Sequence, residues 1–302
     1  MAPDDYDWVG AGLLRSGLSS GTLLAQGPMG SVLASEVDSG DIPAAFWNMA
    51  EPQVVSRVHT LYGLVGAEVM ITNTFQASAP ALVRDGISQG VDTVNRAAVD
   101  CARSAHARMV LGSIGPVGLD WIIQDSREFR EARSAYRDQA LALLRSGVSG
   151  ILLETFTSLR DLEPALAGVF DVSQGMPVLV SFAIDGKCSL LGDGLNIEAA
   201  VSYAGKAGAD AVGVNCCGID VCPEALSRMK GISDLPLMVR PHAGLPSLDE
   251  EGVPRWTEKP ERFARASVTW RELGAALVGS CCGATAQSTC AMAMALGKFD
   301  RP

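Results

Sequence analysis

Histidine is scarce in this chain, with three residues in 302: His59, His106 and His242. A metal site built here would therefore have to rest on sulfur. Basic runs are absent, and the formal net charge is −10. That balance excludes nucleic acid or an anionic membrane surface as an electrostatic partner. No apolar run approaches the roughly 18 residues of a membrane span. The start, Met1-Ala2-Pro3-Asp4-Asp5, leads into no long apolar region, so it does not read as a secretory signal. A cytoplasmic location is the expectation. No Pro/Ser linker, low-complexity tract or exact repeat divides the chain. It reads as one domain over 1–302, with 1–20 as an N-terminal extension.

What is present is apolar and glycine-rich. Hydrophobic residues make up 48% and charged residues 19%, so a large core forms and disorder is excluded. Short apolar runs alternate with segments of helical spacing. The strands are expected at Thr22–Ala25, Glu68–Thr72, Met109–Ile114, Gly150–Leu153, Pro177–Ile184, Ala211–Asn215, Leu237–Arg240 and Ala275–Gly279. Continuous rather than alternating apolar strands suit a parallel sheet buried on both faces. Eight such β/α units most simply close into a (β/α)8 TIM barrel. An open doubly wound sheet is the alternative, and no G-x-G-x-x-G follows the first strand to support it. Residues 185–195 and 244–257 form longer loops of the kind that cover a substrate.

In a barrel the active site lies at the C-terminal ends of the strands. Those ends carry Gln26, Asn73, Thr74, Glu154, Asn215, Cys216, His242, Cys281 and Cys282. Two of the ends share a pattern. Val214-Asn215-Cys216-Cys217-Gly218 is followed 65 residues later by Gly279-Ser280-Cys281-Cys282-Gly283. Eight cysteines in a chain of this size do not read as a disulfide scaffold. One cysteine at a strand end is usually a small core residue. Two Cys-Cys-Gly corners at equivalent ends point instead to metal. Soft thiolates select zinc, copper(I) or iron–sulfur clusters. Three sulfurs with a vacant fourth position describe a catalytic zinc, and a thiol entering that position would lose its proton.

These residues resemble the homocysteine S-methyltransferase family, zinc-dependent enzymes that methylate a thiol. The likeness rests on Gly213-Val214-Asn215-Cys216 and Gly279-Ser280-Cys281-Cys282-Gly283. Supporting it are Thr72-Asn73-Thr74-Phe75-Gln76-Ala77, Gly115-Pro116, Leu153-Glu154-Thr155-Phe156 and Pro241-His242-Ala243-Gly244-Leu245-Pro246. The Asn-Thr-Phe and Ala-Gly-Leu-Pro pieces look most like the homocysteine-binding module of cobalamin-dependent methionine synthase. The resemblance spans about residues 20 to 297. It includes no cobalamin- or folate-binding module.

The resemblance implies Zn2+ on Cys216, Cys281 and Cys282, with Cys217 a bystander. It implies transfer of a methyl group from a sulfonium, betaine or methyl-corrinoid donor to the thiol of homocysteine, giving methionine. The substrate side falls to Gln26, Gly27, Asn73, Thr74, Glu154 and Asn215. Glu154 matches a carboxylate that holds the substrate's ammonium, and its plainer reading is a charge at a helix N-terminus. The family usually has Asp-Gly where this chain has Gln26-Gly27, and an amide lacks the charge an ammonium needs. Relatives usually have Asn at the position of His242, which makes His242 a candidate fourth ligand or a hydrogen-bonded loop residue. Two further readings stay open. One is a member with a changed acceptor or donor, such as one served by a separate corrinoid protein. The other is a non-catalytic zinc or thiol binder. His59 and His106 read as helical residues away from the rim. Trp47, Trp121 and Trp256 lie on loops within reach of it.

Overall fold

The computed structural model describes residues 6–35, 42–118, 126–248 and 254–299. Ten strands occur among them. Eight build the main sheet: β1 (Leu23–Leu24), β2 (Val69–Ile71), β3 (Met109–Ile114), β4 (Gly150–Phe156), β5 (Val178–Phe182), β6 (Ala211–Asn215), β7 (Leu237–Arg240) and β10 (Ala275–Val278). The other two, β8 (Ser247–Leu248) and β9 (Pro254–Arg255), pair antiparallel as a short ribbon. The main sheet runs β1-β10-β7-β6-β5-β4-β3-β2 with all pairs parallel. A parallel bridge between Ala25 and Val69 joins its two edges. Gln26 N donates to Val69 O at 2.9 Å across that seam. The expected (β/α)8 barrel is the observed fold.

The apolar strands form it because each is covered twice. One set of residues faces the barrel axis, including Leu111, Leu152, Leu179, Met238 and Leu277. The neighbouring set, including Val110, Ile151, Val180, Val212 and Val239, packs outward on the helices. Helices at Pro52–Leu64, Val91–Arg103, Arg127–Arg145, Leu159–Ser173, Ile197–Ala207, Cys222–Lys230, Pro260–Glu272 and Ala286–Ala295 form that outer layer. Several begin with a side-chain cap: Ser126 accepts from Phe129 N, Ser158 from Asp161 N and Asn196 from Ala199 N.

The stretch read as an N-terminal extension contains a helix, Trp8–Ser20, capped by Asp7. Its Leu14 and Leu18 join the axial residues as a plug. Ser149 Oγ, just before β4, donates to Asp7 Oδ2 at 3.0 Å and ties the helix to the barrel. With one end of the barrel filled by leucines, the opposite end, at the strand C-termini, is left for chemistry.

Candidate functional site

The C-terminal rim holds a cavity of about 310 Å³. Its walls come from Gln26–Ser31, Ala44–Ala45, the stretch after β2, Ser113, Glu154, Thr155, Cys216, Arg240 and the Cys281–Cys282 pair. The loops after β1 and β2 form much of the wall. The segments expected to cover a substrate, 185–195 and 244–257, contribute no wall residue among those described.

Cys216, Cys281 and Cys282 come together at one side of this cavity, with all three sulfurs within 4.8 Å of one another. The Sγ separations are 2.6 Å for Cys216–Cys281 and 3.9 Å for both Cys216–Cys282 and Cys281–Cys282. Three sulfurs about 2.3 Å from a tetrahedral zinc stand about 3.8 Å apart. Two edges of the triangle already have that length, and the third must open by about 1.2 Å. The donor set therefore fits zinc. Hydrogen bonds from Cys216 and then Cys281 draw the Cys282 thiol down to about 3. Donation to Cys281 and Cys282, reinforced by burial, drives Cys216 well above the ordinary thiol value. Negative charge on these packed sulfurs is what a cation would stabilise.

Backbone contacts set the spacing of these sulfurs. The loop after β7 lies between the two cysteine corners and bonds to both. His242 N donates to Cys217 O at 3.0 Å, Ala243 N to Cys282 O at 2.9 Å, and Cys281 N to Pro241 O at 2.8 Å. Cys216 N donates to Arg240 O at 3.2 Å. Cys216 itself has φ +49°, a left-handed backbone rarely held by a side-chain-bearing residue. Gly283, at φ +78°, follows the pair because a Cβ there would run into the Trp256 indole.

Glu154 is buried, with one partner on each oxygen. Oε1 accepts from Ser113 Oγ at 2.5 Å, and Oε2 accepts from Arg240 Nη1 at 2.6 Å. The pairing with β5 shifts register between Leu153 and Phe156, where Thr155 has φ +64°. That bulge turns Glu154 into the cavity. Asn215 stabilises the strained residue: Thr155 N donates to Asn215 Oδ1 at 2.9 Å, and Asn215 Nδ2 donates to Thr155 Oγ1 at 2.7 Å. Arg240 remains firmly charged. Burial alone would lower it, but Glu154 and the nearby Cys281 and Cys216 outweigh burial.

Gln26 is held at both ends of its amide. Its Nε2 donates to Ile71 O at 3.0 Å, and its Oε1 faces His59 Nδ1 at 2.8 Å. The Ile71 carbonyl fixes which end of the amide is which, so His59 Nδ1 is the donor. Complete burial lowers His59 to about 3 and keeps it neutral. Gly27 has no side chain because a Cβ there would meet the Tyr62 hydroxyl, which donates to Pro28 O at 3.0 Å.

The family model for homocysteine S-methyltransferase matches residues 23–296. The chain belongs to the homocysteine S-methyltransferase family. A methionine synthase of Mycobacterium leprae is 31% identical over 252 residues, covering 79% of this chain and 21% of that protein. A methionine synthase of Mycobacterium tuberculosis is 29% identical over 305 residues, covering 94% of this chain and 25% of that one. The chain thus spans a fifth to a quarter of the length of these relatives. In fold it resembles the metallated form of the homocysteine methyltransferase MmuM from Escherichia coli, with TM-score 0.76 and 23% identity. That likeness covers 92% of this chain and 98% of that one.

Against this family's pattern, the structure sorts the residues singled out from sequence. It assembles the three cysteines with Gln26, Gly27, Asn73 and Glu154 around one cavity. Thr74 and Asn215 do not line it. Thr74 Oγ1 donates to Ser113 O at 2.6 Å, and Asn215 supports Thr155. His242 stays out of the sulfur cluster, and its Nδ1 accepts from Gly244 N at 3.0 Å. His59, read as remote from the rim, is the partner of Gln26. Trp47 is buried in a short helix, and Trp121 lies outside the described residues. Arg240 and Ser113 were missed. A charged residue closing the apolar run Leu237-Met238-Val239 was the available signal for Arg240.

Proposed function

We propose that this chain is a zinc-dependent S-methyltransferase acting on a small thiol, with homocysteine as the acceptor its family implies and methionine as the product. The observation that carries the reading is the three-sulfur cluster opening onto a closed-end barrel cavity. Cys216, Cys281 and Cys282 would hold the metal. Zinc bound there supplies a Lewis acid that keeps an incoming thiol deprotonated at neutral pH.

The chain's own residues account for binding and orientation. Pro28, Met29, Ala44, Ala45, Ile71 and Phe75 give the cavity an apolar wall for an alkyl chain and exclude water. Asn73 turns its amide nitrogen to Ala44 O at 2.6 Å and holds the wall after β2 in place. The expected donors remain a sulfonium, a betaine or a methyl-corrinoid carried by a separate protein. A cytoplasmic setting is part of this reading. Among the described residues no helix is long and apolar enough to cross a membrane.

Zinc-loaded protein should convert homocysteine to methionine with at least one donor from these classes. Bound zinc with no methyl transfer to any thiol from any of them would leave the non-catalytic binder in its place.

A further inference from the structure

Resting on the reading of Cys216, Cys281 and Cys282 as a zinc site, we propose that Asn215 is the positioning residue that ties the buried ligand Cys281 to the strand end carrying Glu154. Its place in the barrel motivates this. Asn215 ends β6 and is completely buried. Ala211, four residues earlier on the same strand, belongs to the axial set, so alternation turns Asn215 toward the axis as well. The strand order β10-β7-β6-β5-β4 puts β6 midway between the strand that leads to Cys281 and the one that carries Glu154. Each lies two strands away, beyond the reach of the sheet's own hydrogen bonds.

The contacts fix which way the amide faces. Thr155 N can only donate, so the atom accepting from it at 2.9 Å is Oδ1. Nδ2 then offers two N–H groups. Thr155 Oγ1 takes one at 2.7 Å, and Cys281 Sγ, at 3.9 Å, is the acceptor for the other. Metal ligation makes Cys281 a thiolate, and a hydrogen bond to a charged acceptor is roughly twice as strong as one to a neutral group.

Cys281 is the ligand with most need of such a donor. It is 7% exposed, whereas Cys216 and Cys282 are half-buried. A thiolate so enclosed relies on protein groups in place of water. Asn215 is also joined by its peptide bond to Cys216, whose backbone is left-handed like that of Thr155. One residue thus touches both sulfur corners and the bulge that presents Glu154.

The competing account is that Asn215 only holds Thr155 in its left-handed conformation. Thr155→Gly separates the two, because glycine adopts φ +64° without strain. The test titrates the full chain with zinc against a chelator and records the sulfur-to-metal absorption of the cobalt(II)-loaded protein. Asn215→Leu keeps the shape of the side chain and removes the donor. Zinc affinity should fall about 10–100-fold, the usual cost of losing an outer partner of a metal ligand. The cobalt band should move to longer wavelength, because a thiolate deprived of an N–H donor gives up its electrons more readily. Both effects should persist when Asn215→Leu is added to Thr155→Gly and compared with Thr155→Gly alone. That comparison also decides the matter if Asn215→Leu does not fold by itself. An unshifted band overturns the proposal even where affinity falls, since a merely structural loss does not retune a sulfur. Changes that vanish on the Thr155→Gly background overturn it too. A parent protein that binds neither metal refutes the zinc-site reading itself, and this proposal with it.

Discussion

Breaking the Arg240–Glu154 pair should be the costliest charge change among the described residues. Their side chains are 6% and 8% exposed, and the contact is 2.6 Å. Exposed pairs such as Arg127–Glu131, at 80% and 53%, typically contribute 0–1 kcal/mol. Removing one partner of a buried pair costs about 3–5 kcal/mol, because a charge is left in the interior without its counter-ion. Glu154→Gln keeps the side-chain shape and the contact with Ser113 but strips the charge facing Arg240. It should lower stability by about 3–5 kcal/mol. At roughly 2 °C per kcal/mol for a chain of this size, the midpoint should fall by about 6–10 °C. The assay is equilibrium unfolding of the parent, Glu154→Gln, Arg240→Met and the double variant, each at equal metal content. The double variant should recover much of the loss, since it leaves no buried charge without its counter-ion. A single-variant loss below about 1 kcal/mol, or losses that simply add, would show that the pair is effectively solvated.

The other expectations are more local. Cys282→Ala should abolish stoichiometric zinc binding and methyl transfer together while leaving the barrel folded, as metal analysis and circular dichroism will read. His59 should make the protein acid-sensitive. Its folded value of about 3 lies below the ordinary 6.5, so only well above pH 6.5 are both states uncharged. As pH falls the unfolded chain takes up a proton that the folded one refuses, costing about 2 kcal/mol by pH 5. The stability slope between pH 7 and 5 should be shallower in His59→Gln, and an unchanged slope would count against a neutral buried His59. Gly283→Ala should push on Trp256 and strain a left-handed residue, costing about 1–3 kcal/mol, with weaker zinc retention measured by competition with a chelator.

Much of this was legible in the residues, and what escaped did so for identifiable physical reasons. The runs Met109–Ile114, Ala211–Asn215 and Leu237–Arg240 are strands to the residue. Continuous burial on both faces leaves no other use for such apolar segments. The three cysteines were legible because two equivalent corners repeat one pattern. Arg240 and Glu154 are 86 residues apart, and His59 and Gln26 are 33 apart. Those pairs exist only once the barrel closes, so no local spacing signals them. Asn215 and Thr74 sit at the expected ends of strands but point into the structure rather than the cavity. Successive side chains on a strand alternate in direction, and a rim position alone does not settle which way one faces.

The buried charge pair and the sulfur cluster are one connected structure, which constrains how any substitution here must be read. Arg240 bonds Glu154 through its side chain and holds Cys216 N through its carbonyl. Thr155, next to Glu154, is held by Asn215, whose Nδ2 also lies 3.9 Å from Cys281 Sγ. The group that sets the pocket's charge and the groups that set the sulfur positions therefore share backbone and hydrogen bonds. A change at Arg240 can reach Cys216 through that carbonyl even when the side chain alone is altered. Loss of methyl transfer in an Arg240 variant is then ambiguous between a displaced sulfur and an unrecognised acceptor. Metal stoichiometry separates the two. A variant that retains one zinc per chain but exchanges its preferred thiol has lost recognition, whereas one that releases zinc has lost the site.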